Sequence, residues 1–463
     1  MTEQKKEKKE TMSESKAANT IARERVDNIA TRNSEPAWLK DLRLSAWERY
    51  LQTAMPEPRE EEWRKIELGS LHLSELKAID WPGATGKEGK PSKLPQYFAD
   101  SLSTFENAGV VAETCAQHWN ELSEKAAKQG VIFCSLKSAV EKHQDKVKPY
   151  LEKTLTKDGK FTLMNQALFN TGAFLYVPNN VEVDLPFLSM IHLDAEAMQS
   201  GVAVFPRVVV VLGANSKATL MASVSTEEAA GNAAAHLSLC DQSVEVHLAQ
   251  GAKLQYIELH KLSDNTFGVL RNHYDLARDA SLYSLTVGLG GAQIKSDINT
   301  VLGAPGAHCD IEGVVFGDGS EHFSFNTCVD HDAPDTKSNI NFRVALKDSA
   351  SSVYLGTIKV AKVAQKTDSF QSNKNLLLGS DAKADSIPKL EILADDVKCS
   401  HGATVGPVDK EQIFYLQSRG LTEPEAEELV VTGFFKQIFD TCALPGAADY
   451  ISELLANKMQ GND

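Results

Sequence analysis

The chain has no Cys-x-x-Cys pair: its seven cysteines (Cys115, Cys134, Cys240, Cys309, Cys328, Cys399 and Cys442) stand singly and are odd in number. That pattern argues against a disulfide framework and against a self-contained zinc site, so reduced thiols are expected. Long apolar runs are missing as well. Crossing a bilayer takes about 20 apolar residues, whereas the longest candidate, Val208 to Leu212, has the length of a strand. The start, Met1 to Lys16, is rich in Lys and Glu and has neither an apolar segment nor the Arg-rich, acid-poor character of a transit peptide. A cytoplasmic chain is therefore expected. Positive charge is in deficit, 48 Lys and Arg against 63 Asp and Glu for a formal charge of -15, which disfavours nucleic acid and anionic membranes as partners. Enzyme motifs are missing too. Gly288 to Gly291 and Gly303 to Gly306 are glycine-rich, but neither leads into a helix through Lys-Ser or Lys-Thr, so they are read as turns and not as an ATP-phosphate loop. There is no G-x-S-x-G elbow and no H-E-x-x-H helix, and a non-enzyme is expected.

What is present divides by texture. Residues 1–36 read as a disordered polar tail and residues 37–160 as a mainly helical N-terminal domain. In that domain Trp38, Leu39, Leu42, Trp47, Tyr50 and Leu51 fall at helical spacing. Further helical patterns run from Val110 to Ala127 and from Ser135 to Leu155, and Trp81 to Pro95 reads as a Gly/Pro/Lys-rich loop. Residues 161–405 change to short β-prone runs such as Arg207 to Leu212, Lys253 to Leu259 and Ser352 to Ile358. A turn recurs among them: a leucine, a few small or polar residues, then a new strand. Leu248, Leu276, Leu302 and Leu346 open it, 28, 26 and 44 residues apart. More than 200 residues of strands with no amphipathic helix between them exclude a doubly wound α/β sheet, and the drifting repeat favours a β-solenoid over a sandwich or propeller. Residues 406–463 read as a C-terminal helical domain. Asp409 to Arg419 stops at Gly420, a capping box follows at Thr422-Glu-Pro-Glu425, and a last helix spans Ala447 to Met459. The middle helix carries Leu429, Val430, Phe434, Phe435, Ile438 and Phe439, more apolar surface than a short helix hides by itself.

The densest chemical signal is Cys399-Ser-His-Gly-Ala403. On an extended segment residues two apart share a face, which sets thiol and imidazole about 6–7 Å apart at their Cα atoms. Both are competent ligands for iron or zinc, and a thiolate also accepts sulfur. Two donors do not complete a cluster site, which takes about four. A metal here would be shared with a partner, and the competing interpretation is a buried thiol beside an inert surface imidazole. His308 and Cys309 are adjacent on a strand and face opposite ways, so structural roles are expected for them. Cys328, Asp330, His331 and Asp332 fall at a polar turn whose carboxylates can cap backbone groups without any metal.

Three stretches go further than periodicity: Gln365-Lys-Thr-Asp-Ser-Phe-Gln-Ser-Asn-Lys-Asn-Leu-Leu-Leu378, Pro388 through Cys399-Ser-His401 to Gly406, and Phe414-Tyr-Leu-Gln-Ser-Arg-Gly420. They closely resemble the SufB/SufD family of iron–sulfur assembly proteins, and Cys-Ser-His-Gly-Ala-Thr matches its SufD branch. Where SufB has a cysteine after a Gly-Asp-Arg stretch this chain reads Gly379-Ser-Asp-Ala-Lys383, which also speaks for that branch. The resemblance is specific over about the last 100 residues and weak across the N-terminal helices. It implies a right-handed parallel β-helix flanked by helical domains, a scaffold subunit that pairs with SufB through the β-helix and binds the ATPase SufC through its C-terminal helices. It also implies a transient iron–sulfur cluster shared with SufB, with His401 as ligand and Cys399 as second candidate, and a homodimer when the chain is isolated. Leu429, Val430, Phe434, Phe435 and Ile438 would then face SufC. Flavin binding is left open. The rival expectations are a β-helix polysaccharide-active enzyme and a plain structural homodimer.

Overall fold

The computed structural model describes residues 23–78, 96–114, 117–153, 159–198, 201–227 and 237–461. An irregular N-terminal part carries β1 (Lys77–Ala78), β2 (Gly109–Thr114), β3 (His118–Leu122), β4 (Ile132–Ser135), β5 (Ala173–Val177), β6 (Phe187–Leu193) and β7 (Val202–Val204). The regular repeat opens with β8 (Arg207–Leu212), β9 (Lys217–Thr226), β10 (Ser238–Leu248), β11 (Lys253–Leu262), β12 (Thr266–Leu276), β13 (Ser281–Gly290) and β14 (Gln293–Leu302). It continues with β15 (His308–Gly317), β16 (His322–His331), β17 (Lys337–Leu346), β18 (Ser351–Val360), β19 (Asp368–Leu377), β20 (Lys383–Ile392) and β21 (Lys398–Pro407). From β8 onward each strand pairs in parallel with the strand two further along, so even-numbered strands build one sheet and odd-numbered strands the other. The result is a parallel β-solenoid of seven coils, as the drifting repeat led us to expect.

Burial explains why the strands read as they do. In β8, Val208, Val210 and Leu212 point into the coil while Val209 and Val211 lie under the N-terminal helices, so both faces are covered and the run is continuously apolar. The recurrent turn holds one residue in the left-handed region in coil after coil: Asn215, Gly251, Asp279 and Gly306. Gly251 and Gly306 leave space for the side-chain oxygens of Asn215 and Asp279 in the preceding coils, which a Cβ would meet at 2.4 and 2.0 Å.

Helices cover the two outer faces. Over the even sheet lie α1 (Arg23–Arg32), α2 (Ala37–Gln52) and, after α3 (Gln96–Thr104) and α4 (Glu124–Lys128), α5 (Leu136–Lys142), α6 (Gln144–Leu151) and α7 (Lys160–Leu168). After the short α8 (Ala195–Met198), the chain closes with α9 (Lys410–Ser418), α10 (Glu423–Phe439) and α11 (Ala447–Met459). Helices α3, α10 and α11 cover the odd sheet. The capping box forms as read, with the Thr422 backbone N–H donating to Glu425 Oε2 at 2.7 Å.

Two expectations for the N-terminal region need correction. Residues 23–32 of the expected tail are helical, because Val26 and Ala30, one turn apart, are buried against the helical layer; residues 1–22 and the expected loop at 81–95 lie outside the described residues. The expected helix at 110–127 is instead β2, β3 and α4. Val110, Val111 and Ala112 fit either period, and parallel pairing of β2 with β6 decides for strand.

His331 closes β16 with its ring inside the coil, fully buried, 2.8 Å from Thr336 Oγ1 and 2.9 Å from Ser338 Oγ. Burial lowers its pKa from 6.5 to about 4. The folded chain therefore keeps this ring neutral while the unfolded chain takes up a proton, and stability is lost as pH falls from 6.5 toward 4. Loss is expected to reach about 2 kcal/mol at pH 5 and about 3 kcal/mol once pH reaches 4. His322, lowered to about 4 by burial and by Lys65, adds a loss of the same sign. Urea unfolding at pH 7 and pH 5 checks this: His331→Gln should shrink the difference between the two, leaving the His322 contribution.

Candidate functional site

The inward column of the odd sheet leads to the pair singled out in the sequence. Cys309, Ser338, Ser369 and Cys399 stack in register from β15 to β21, and beside them stack Ile311, Ile340, Gln371 and His401. In β15, β17 and β19 these side chains are sealed, none more than 2% exposed. In β21 they are not, because no coil follows: β21 pairs only with β19, and β20 only with β18. His401 is exposed and Cys399 half-buried, packed against the last of the coil interior. Alternation thus brings thiol and imidazole to one face, as the sequence spacing required. Burial, then the Asp368 carboxylate, raises the Cys399 pKa, and the Ser369 backbone N–H only partly offsets them. At neutral pH Cys399 is a thiol.

The uncovered end is a two-stranded mouth. Ala384, Ser386, Pro388 and Leu390 of β20 face Cys399, His401, Ala403 and Val405 of β21, each on the inward side of its strand. Val405 is 46% exposed and Leu393, just after β20, 71%. Two ten-residue edges with free backbone groups and apolar side chains form a surface that natural solenoids cap. Among the described residues no three His, Cys, Asp or Glu side chains converge as metal ligands, so Cys399 and His401 stand as two donors.

The other candidates fall apart. His308 is partly exposed and pairs with Asp310 at 3.2 Å, while Cys309 is sealed inside with its pKa raised by burial. Cys328 points outward, 3.5 Å from Asp330, and His331 points inward, so the two share no site. On α10, Phe435 and Ile438 are buried against the odd sheet and Val430 and Phe434 are half-buried, which leaves Leu429, 51% exposed, as the accessible member of the expected apolar face. The helix period put all five on one helix but could not say which part of it the solenoid takes. Phe414 and Tyr415 on α9, exposed at 72% and 56%, extend the accessible apolar surface; in the sequence they stood out only within the Phe414 to Gly420 stretch and not as partner-facing residues. Gln371 was also missed, although a glutamine at an inward position of an alternating strand was a readable signal.

Fold and site together define a solenoid protein that presents a thiol and an imidazole on an unfinished coil end. Comparison with known proteins agrees: residues 194–434 match the core domain of SufBD proteins, of SUF system FeS cluster assembly, and residues 16–187 match the SufBD N-terminal region. The chain belongs to the SufB/SufD family. It is similar to the iron–sulfur cluster assembly protein SufD of Bacillus subtilis, 28% identical over 95% of this chain and 98% of that protein. SufB of the same organism is 24% identical over 96% of this chain and 94% of its own length. A SufBD family protein of Mycobacterium tuberculosis is 34% identical over 47% of this chain and 57% of its own.

Proposed function

We propose that this chain is a non-catalytic scaffold subunit of a cytoplasmic iron–sulfur cluster assembly complex, of the SufD type, whose open coil end is covered by the sister subunit SufB. The observation that carries this proposal is the uncovered end itself, where an inward-facing column emerges into solvent at Cys399 and His401. A second β-helix would satisfy the free edges and bury Val405 and Leu393. Its thiolates would complete the coordination that two donors leave open, with His401 the primary ligand because Cys399 is protonated at neutral pH. The nascent cluster is cargo here, weakly held by shared ligands and so readily passed on. The accessible apolar residues Leu429, Phe414 and Tyr415 suit an ATPase of the SufC type, which would supply the nucleotide chemistry. No described helix is long and apolar enough to cross a membrane, and the net acidic charge speaks against nucleic acid. A second copy of this chain would suit the same end when SufB is missing.

Anaerobic reconstitution with ferrous iron and sulfide, with and without the sister subunit, tests the proposal. Visible absorption of an iron–sulfur species is expected on the mixed complex and not on this chain alone. A stable cluster on the isolated chain, or none on the complex, overturns it.

A further inference from the structure

Gln371 lies directly below His401: the two are Cα partners of the β19–β21 ladder and face the same side. Such partners stand about 4.8 Å apart, within reach of two side chains. Gln371 is only 1% exposed, yet neither its amide nitrogen nor its amide oxygen has a hydrogen-bond partner. The neighbouring inward polar residues of β19 each make at least one hydrogen bond, although Asn375 Oδ1 stays unpartnered. Ser369 bonds Ser338 at 2.6 Å, Asn373 donates to the Phe342 carbonyl at 3.5 Å, and Asn375 donates to Asn373 at 2.7 Å and to the Thr404 carbonyl at 3.1 Å. Across the coil the facing sheet makes room for the amide with a glycine. A Cβ on Gly356 would meet Gln371 Nε2 at 2.1 Å. Buried amides are nearly always satisfied; among the described residues Gln371 has both amide atoms without a partner, and it sits under the imidazole assigned as ligand.

We propose, building on the function assigned above, that Gln371 is the positioning residue for His401. When a partner covers the coil end, the Gln371 amide oxygen accepts the imidazole N–H, which fixes one tautomer and turns the other ring nitrogen to the cargo. In the uncovered chain water solvates His401 and the amide waits unpaired. Covering the end removes that water, and an imidazole N–H then needs an acceptor inside the protein; Gln371 is the in-register residue with a free one.

The test uses full-length chain co-expressed with the sister subunit and the ATPase, as wild type, Gln371→Leu, Gln371→Met, Gln371→Glu and His401→Ala. Removing an orphan amide in favour of an apolar side chain of similar shape leaves folding intact, so Leu and Met variants should assemble with wild-type stoichiometry and unfold at or above the wild-type temperature. After loading with ferrous iron and sulfide, both should lose iron to a chelator about tenfold faster than wild type, the scale of effect of a ligand-orienting hydrogen bond. Gln371→Glu, which keeps an acceptor oxygen, should restore slow loss. Wild-type release from the Leu and Met variants overturns the role of Gln371, as does an iron loss that simply tracks a lowered unfolding temperature. If His401→Ala releases iron fast and Gln371→Leu does not, the positioning role alone fails; if His401→Ala also behaves as wild type, the function assigned to the site fails with it.

Discussion

His401→Ala is expected to leave folding and pairing with the sister subunit intact while removing nearly all iron and acid-labile sulfide from the purified complex. The stability side follows from exposure. His401 sits on the last strand with solvent over it, and substitutions at such positions usually change stability by no more than about 0.5 kcal/mol. The chemical side follows from count: with two donors on this chain, deleting the exposed imidazole leaves only a thiol whose pKa is raised by burial and by Asp368. Cys399→Ser should therefore lose less cargo than His401→Ala, and the gap should narrow as pH rises toward the thiol pKa. Iron and sulfide assays on anaerobically purified complexes, at pH 7 and pH 9, read both effects. Equal retention by His401→Ala and wild type would remove His401 from the site.

Much of this arrangement is legible in the sequence because it rests on local periods. Alternation in Lys398–Pro407 puts Cys399 and His401 on one face whatever the surroundings, and the Gly420 stop and Thr422 capping box place the break between α9 and α10. What could not be read are outcomes of long-range pairing. Val110 to Thr114 satisfies helix and strand spacing alike, and pairing settles it, antiparallel with β3 and parallel with β6 more than 70 residues on. The exposure of His401 is of the same kind. Gln371 and His401 occupy the same column and the same face, and one is sealed while the other is open because a coil follows the first and none follows the second. No local pattern records where a stack stops.

A pair of substitutions at the C-terminal helices should separate partner binding from packing. Phe414→Asp combined with Leu429→Asp is expected to leave thermal unfolding near wild type and to abolish co-purification with the ATPase, since both side chains are exposed. Phe435→Ala is expected to cost about 3–5 kcal/mol, measured by urea unfolding, because Phe435 is fully buried in the cluster that includes Val431, Ile438 and the outward residues Val314 and Phe316 of β15. Its helix is clamped a second time by Arg343 of β17, whose guanidinium lies 5.2 Å over the Phe434 ring and donates to the Phe434 carbonyl and to Gln437. Retained ATPase binding by the double Asp variant would exclude this face. The two results together bear on how nucleotide-driven motion could reach the coil end. A partner held at Leu429 pulls on a helix fixed to β15 and β17, and β17 is bonded through β19 to the strand that carries His401. Movement at the Leu429 face would therefore have a short, hydrogen-bonded route to the mouth, and loosening the helix at Phe435 should weaken that route even where the proposed ATPase still binds.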